Sequence, residues 1–245
     1  MTDRDAVPAI VDHLHGELQS IFGERLRSFG PYGHAAGGPA GMPQRAEQAD
    51  EGIHTLALVD NLTFEDLVRC ARASAAWARR GLAIPLILPR DEFARSLDAF
   101  PLEYGEIIAT HVTVAGDNPF DGVSVKSEDL RRACEVQAKS HLLHLREGYI
   151  EAGGRGAAIA RLIADSVAAF RGLLANLARL EGARAESVEA LASHAETIGL
   201  SGSIVSEIIR IRPSDDLTAA DGQRLFPSYL AAVERLARFV DRWTA

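Results

Sequence analysis

His141 and His144 stand at i and i+3 in a stretch of helical periodicity, with Glu135 a further turn and a half back. Side chains three apart share a helix face, so the pair could hold a borderline cation, but a site needs a third ligand on that face. An i, i+3 pair alone is a weak signal, and both read as solvated or core-edge histidines. His13 and His15, at i and i+2 on a helix, cannot face one another. Cys70 and Cys134 lie far apart inside helix-like sequence, without zinc spacing or a C-x-x-C pair, and read as two buried reduced thiols. The chain carries no G-x-S-x-G elbow, no Walker-type phosphate loop and no dinucleotide fingerprint. Ser201-Gly202-Ser203 reads as a helix cap.

Two short stretches remain. Gly30-Pro31-Tyr32-Gly33 closes a strand-like segment and on its residues alone reads as a simple tight turn. Gly52-Ile53-His54 opens an apolar run, where His54 either projects into a cleft or fills a pocket.

These stretches must be positioned by the elements around them. Val7, Ile10, Leu14, Leu18 and Ile21 recur at three and four, which predicts a helix over about 6–23. Residues 25–30 alternate as a strand. Residues 33–52 hold too many glycines and prolines for a regular element and predict a long loop. Residues 53–60 predict a strong strand. Thr63, with Asp66 three residues on, opens a helix that ends before Gly81. Residues 82–88 predict a strand that Pro85 confines to an edge or interrupts. A short helix starts near Pro89 and Arg90. Residues 106–114, with Ile107, Ile108, Val112 and Val114, predict a final strand. Beyond about residue 124 the period is 3.6 throughout. Ser127 caps a helix reaching Ile150; a second carries Ile159 to Leu177; two shorter ones cover about 185–197 and 201–211; the last carries Leu230, Val233, Leu236, Val240 and Trp243.

The expected fold class is α+β: a small mixed-sheet domain over residues 1–120, then an all-α helical bundle over 121–245, with the boundary near 117–126. The composition, 47% hydrophobic and 24% charged over 245 residues, excludes a disordered chain, a collagen-like repeat and a disulfide scaffold. A net charge of −8 argues against general nucleic-acid binding and against an anionic membrane surface as a partner. Lys126 and Lys139 are the only lysines among 26 basic residues, a bias that reads as a GC-rich bacterial genome more than as function. Met1 to Asp5 run into an amphipathic segment, not an apolar signal region, and no window has bilayer length. A cytoplasmic protein is expected.

A helix, a strand ending in a glycine turn, a second strand some twenty residues on, then a helical bundle: this order resembles the nucleotidyltransferase superfamily, in particular bacterial nucleotidyltransferase-domain proteins with a helical C-terminal half. In that family the first strand ends in a Gly-Ser turn, matched here by Ser28-Phe29-Gly30-Pro31-Tyr32-Gly33. The second strand carries Asp-x-Asp before an apolar run, matched by Gly52-Ile53-His54 before Thr55 to Val59. Phe100 to Tyr104 and His111 to Phe120 also look like the end of such a domain.

The resemblance implies nucleotidyl transfer assisted by magnesium, with a nucleoside triphosphate as donor. Two carboxylates at i and i+2 of a strand share a face and can hold a metal pair. Those positions here are Gly52 and His54; glycine offers no ligand and imidazole suits magnesium poorly. The third family acid would fall near Ile84 to Leu88, which contains none. Asp50 and Glu51 precede the strand without forming an i, i+2 pair, and Asp60 lies roughly 20–27 Å beyond. Pro31 removes an amide donor from the turn. Nor does an arginine precede His141, His144 or His194 at the Arg-x4–6-His spacing of the ribonucleases that partner minimal nucleotidyltransferases.

The expectation is therefore a nucleotidyltransferase-like chain with no catalytic residue, no metal site and no cofactor, acting as a binding, regulatory or scaffold protein toward an unidentified protein or small molecule. Ser28, Gly30, Tyr32, Gly33, Glu51 and His54 are its candidate cleft residues. The competing reading is an active transferase with a relocated metal site, which would require Mg2+ and a nucleoside triphosphate. A third is an interaction module whose helical half forms a homodimer.

Overall fold

The structure, a computed structural model, describes residues 7–33, 52–183, 185, 187–212 and 217–243. The predicted loop at 33–52 lies outside those residues except for its ends, Gly33 and Gly52. The chain divides into two compact units at Lys126/Ser127, a small sheet with helices and a helical bundle, so the class is α+β.

In the first unit, α1 (Val7–Phe22) buries Val11, Leu14, Leu18 and Phe22, the stripe that its periodicity marks. A 3-10 turn, Gly23–Arg25, leads into β1 (Leu26–Pro31), which pairs antiparallel with β2 (Thr55–Val59). Thr63 caps α2 (Phe64–Arg79) in a capping box with Asp66, as the spacing predicts. The chain then crosses to β3 (Leu86–Pro89), parallel to β2, and continues into α3 (Arg90–Arg95), α4 (Pro101–Thr110) and the two-residue β4 (Ala115–Gly116), antiparallel to β1. The order is β3-β2-β1-β4. All five residues of the inner strand β2 are buried, because both faces of the sheet are covered. Phe29, Ala57 and Val59 pack with α1 and α2 around Trp77. Leu56 and Leu58 pack on the other face with Phe93, Tyr104, Ile107 and Phe120.

The predicted strand at 106–114 is corrected. Residues through Thr110 are helix α4, with Pro101 in its first turn and Tyr104, Ile107 and Thr110 buried at steps of three. Only the tail is extended: the Val112 and Val114 amides donate to the Pro31 and Phe29 carbonyls at 3.0 and 2.9 Å, so 112–116 runs along β1. The strand predicted at 82–88 shrinks to β3. Leu82 keeps a single bridge to Ile53, and Pro85, with no amide to give, stands between them at the sheet edge.

In the second unit α5 (Ser127–Ala152), α6 (Gly156–Leu180) and α9 (Ala219–Arg242) pack against one another, with α7 (Val188–Thr197) and α8 (Gly202–Ile209) alongside. Ser127 is the first residue of α5 rather than its cap. Ser201 caps α8, its hydroxyl accepting from the Ile204 amide at 3.4 Å. The last helix begins well before Leu230, at a Thr218–Asp221 capping box, and contains Pro227. Among the described residues no helix is long and apolar enough to cross a membrane.

Candidate functional site

β-Strand alternation puts Ser28 and Gly30 on one side of β1, opposite Leu58 and Leu56. Tyr32 continues that side just past the strand; its amide donates to the His54 carbonyl at 3.1 Å, and the two rings lie 5.8 Å apart, tilted by 40°. Four predicted residues, Ser28, Gly30, Tyr32 and His54, therefore share one face of the sheet. Gly33 closes the turn: its amide donates to Thr110 Oγ1 at 2.9 Å, and that hydroxyl donates to the Glu106 carbonyl at 2.8 Å. Glu51 lies outside the described residues.

The face is not open. Tyr104, Ile107, Phe93 and Phe120 cover it, and the half-buried Tyr32 packs at the margin of that apolar cluster. Ser28 and Glu106 are buried at 4% and 2% exposure. Ser28 Oγ and His111 Nε2 are buried and meet no hydrogen-bond partner among the described residues. Burial, and then the nearby Glu106 charge, pushes the Tyr32 phenol up to about 12, so it stays protonated at neutral pH. Burial alone pushes the His111 imidazole down to about 4, and its ring edge rests on Phe120 at 4.9 Å. Glu106, Thr110 and His111 are the residues that sequence reading misses here. They reach the site from α4 and its C-cap, and the helical signal, Pro101 followed by buried positions at steps of three, is hidden by the β-branched run after it.

Two close backbone approaches define the site's limits. A β-carbon at Gly30 would collide with the Val112 carbonyl oxygen and stand 2.9 Å from His111 Nε2. A β-carbon at Gly52 would stand 2.6 Å from the Ala83 amide nitrogen and 3.0 Å from the Leu82 carbonyl carbon. Both glycines are thus required by neighbouring backbone, whatever a ligand needs. A magnesium pair needs several oxygen ligands at one point. Among the described residues the donors gathered here are one buried carboxylate, one phenol, two imidazoles and the Ser28 and Thr110 hydroxyls, and position 52 has no room for an acid; this set does not fit such a pair.

The other candidates resolve into structure. His141 is buried: its Nε2 lies 2.8 Å from Tyr229 Oη and its ring stacks on Phe170 at 6.0 Å, whereas His144 is exposed. Glu135 pairs with Arg131 at 2.8 Å and Lys139 at 2.5 Å rather than with either histidine. His13 pairs with Glu17 at 3.1 Å, and His15 stacks on Phe29 at 5.5 Å. Asp60, beyond the end of β2, is gripped by Arg27 Nε and Nη2 at 2.7 and 2.6 Å. Cys70 and Cys134 are free and buried, as predicted. Among the described residues no three of His, Cys, Asp and Glu gather as a metal site. No protein-family model matches the chain, and no curated protein matches it in sequence.

Proposed function

We propose that this chain is a nucleotidyltransferase-like protein whose cleft does not catalyse, and that it works as a binding or regulatory scaffold. The observation that carries the reading is the backbone at Gly52. In the resemblance this position bears the first metal-binding acid, and here the Ala83 amide occupies the space its side chain would need. The order α1, β1 with its glycine turn, β2, then a bundle supports the family part of the reading. The apolar cover of Tyr104, Ile107 and Phe120 supports the non-catalytic part, since nucleotidyl transfer needs a charged, accessible centre.

The test is direct. The purified protein is incubated with magnesium or manganese and each labelled nucleoside triphosphate, alone, with RNA and with small-molecule acceptors. No label transfer is expected. Transfer to any acceptor, or to the protein itself, overturns the reading in favour of an active enzyme with a relocated metal site.

A further inference from the structure

Val136, Leu143 and Ile150 project from α5 into solvent, at 65%, 56% and 77% exposure. They stand seven residues apart. Seven residues make nearly two helical turns, so the three form a line drifting only about 20° per step and rising about 10.5 Å each time, roughly 21 Å in all. That is the seam spacing of one helix packed along another, on a face that α5 does not turn toward its own bundle.

From this stripe we propose that α5 pairs antiparallel with α5 of a second copy of this chain, on a two-fold axis at Leu143. The pattern is its own complement under that symmetry. Leu143 meets Leu143 of the second copy, and Val136 meets Ile150, so every large exposed apolar residue of α5's seam is covered by another. One charge pair fits this axis: Lys139 and Glu147, four residues to either side of Leu143, come opposite each other, while Arg146, held by Glu234 at 2.7 Å, comes opposite Ser140. Lys139 already touches Glu135 and Asp241 yet keeps half its side chain exposed, and Glu147 is exposed. Ser140, small and exposed between two seam positions, lets the helices approach. Arg132 falls opposite the C-terminal end of the partner helix near Gly154, where a cation suits the helix dipole. A stable interface takes roughly 800 Å² from each partner, more than three side chains and their flanks supply, so the pairing is a weak, concentration-dependent dimer.

Sedimentation of the full chain from low micromolar to millimolar concentration tests it. The mass should rise from 26.4 kDa toward twice that value. Leu143→Glu, at an exposed site, should keep the helical circular dichroism and lose the rise. Lys139→Glu should weaken the association severalfold, and adding Glu147→Lys should restore it. Under mild oxidation with copper-phenanthroline, Leu143→Cys should crosslink to itself, whereas Val136→Cys should crosslink only to Ile150→Cys in a mixture. A mass fixed at the monomer value overturns the proposal. So does association that Leu143→Glu leaves intact, or self-crosslinking of Val136→Cys as efficient as that of Leu143→Cys.

Discussion

The Gly52 α-carbon faces the Ala83 amide so closely that an added β-carbon would lie 2.6 Å from its nitrogen. The bridge between Ile53 and Leu82 clamps this approach, with the Ile53 amide donating to the Gly81 carbonyl at 2.7 Å and the Ala83 amide to the Ile53 carbonyl at 3.1 Å. Writing the family's acids back in should therefore fail. Gly52→Asp with His54→Asp is expected to confer no magnesium-dependent nucleotidyl transfer, and Gly52→Ala alone should destabilise the sheet unit by about 1–3 kcal/mol in urea unfolding. His54→Asp, at a half-buried site with no such clash, should fold. A double variant that folds normally and transfers label would show that the backbone at 52 is not the obstacle.

Arg25 reaches from the turn before β1 to α2 and grips Asp66 with both terminal nitrogens at 2.8 Å, while Asp66 also accepts from the Thr63 amide at 3.0 Å. The Arg25 hydrogen bonds, helped by Thr63, hold the Asp66 carboxyl well below the usual carboxylate range. A carboxylate with a lowered folded pKa contributes stability above its unfolded value, near 3.9, and loses that contribution as pH falls through the folded value. Asp66→Asn should thus cost about 2 kcal/mol at pH 7, combining cap and ion-pair losses. The gap between variant and parent should stay constant down to about pH 4 and close only below it. A gap that already closes between pH 7 and 5 would contradict the assignment to Asp66.

Within the bundle, His141 Nε2 lies 2.8 Å from Tyr229 Oη, which lies 3.1 Å from Ser166 Oγ, and the serine donates to the Ile163 carbonyl at 2.8 Å. The chain of contacts gives His141 Nε2, Tyr229 Oη and Ser166 Oγ each a partner, so breaking it leaves orphans; Tyr229→Phe should cost about 1–2 kcal/mol. Burial pushes His141 from 6.5 down to about 4. Between those values the unfolded chain binds a proton that the folded one refuses, so stability is full above about pH 6.5 and falls as pH drops toward 4. His111 carries the same sign in the sheet unit. Urea titrations at pH 7, 6 and 5 should show both units weakening, and His111→Phe should flatten the slope of the sheet unit alone.

Legibility in the sequence followed how local each determinant is. The α1 stripe and the Thr63–Asp66 box are fixed by neighbours within one or two turns, and both read directly. The α4 helix did not, because Ile107 and Ile108 merge by eye with Val112 and Val114 into one β-branched run; what separates them is that the latter two hydrogen-bond to β1, some eighty residues away in sequence. The site divides along the same line. Gly30, Tyr32 and His54 are visible as a turn and a strand start, whereas Glu106 and His111 join them only through tertiary packing of α4. The steric need for glycine at 52 is likewise set by Ala83, in another strand connection, and no motif carries it.

Cys70 and Cys134 supply a test of the packing that does not touch the candidate site. Both are free and buried, Cys70 on α2 among the residues around Trp77 and Cys134 on α5 at 0% exposure. A thiol reacts as its thiolate, and burial opposes that charge. Burial raises the Cys70 thiol and pushes Cys134 up to about 12, with Arg179 only partly opposing the shift. At pH 8 a disulfide reagent such as Ellman's should therefore titrate no thiol quickly in the folded protein and both in denaturant. Because the two cysteines sit in different compact units, the slow native-state reaction reports each unit's opening separately. Asp66→Asn should speed labelling of Cys70 and leave Cys134 unchanged, and Tyr229→Phe should do the reverse; equal acceleration of both by either variant would mean that the units open together.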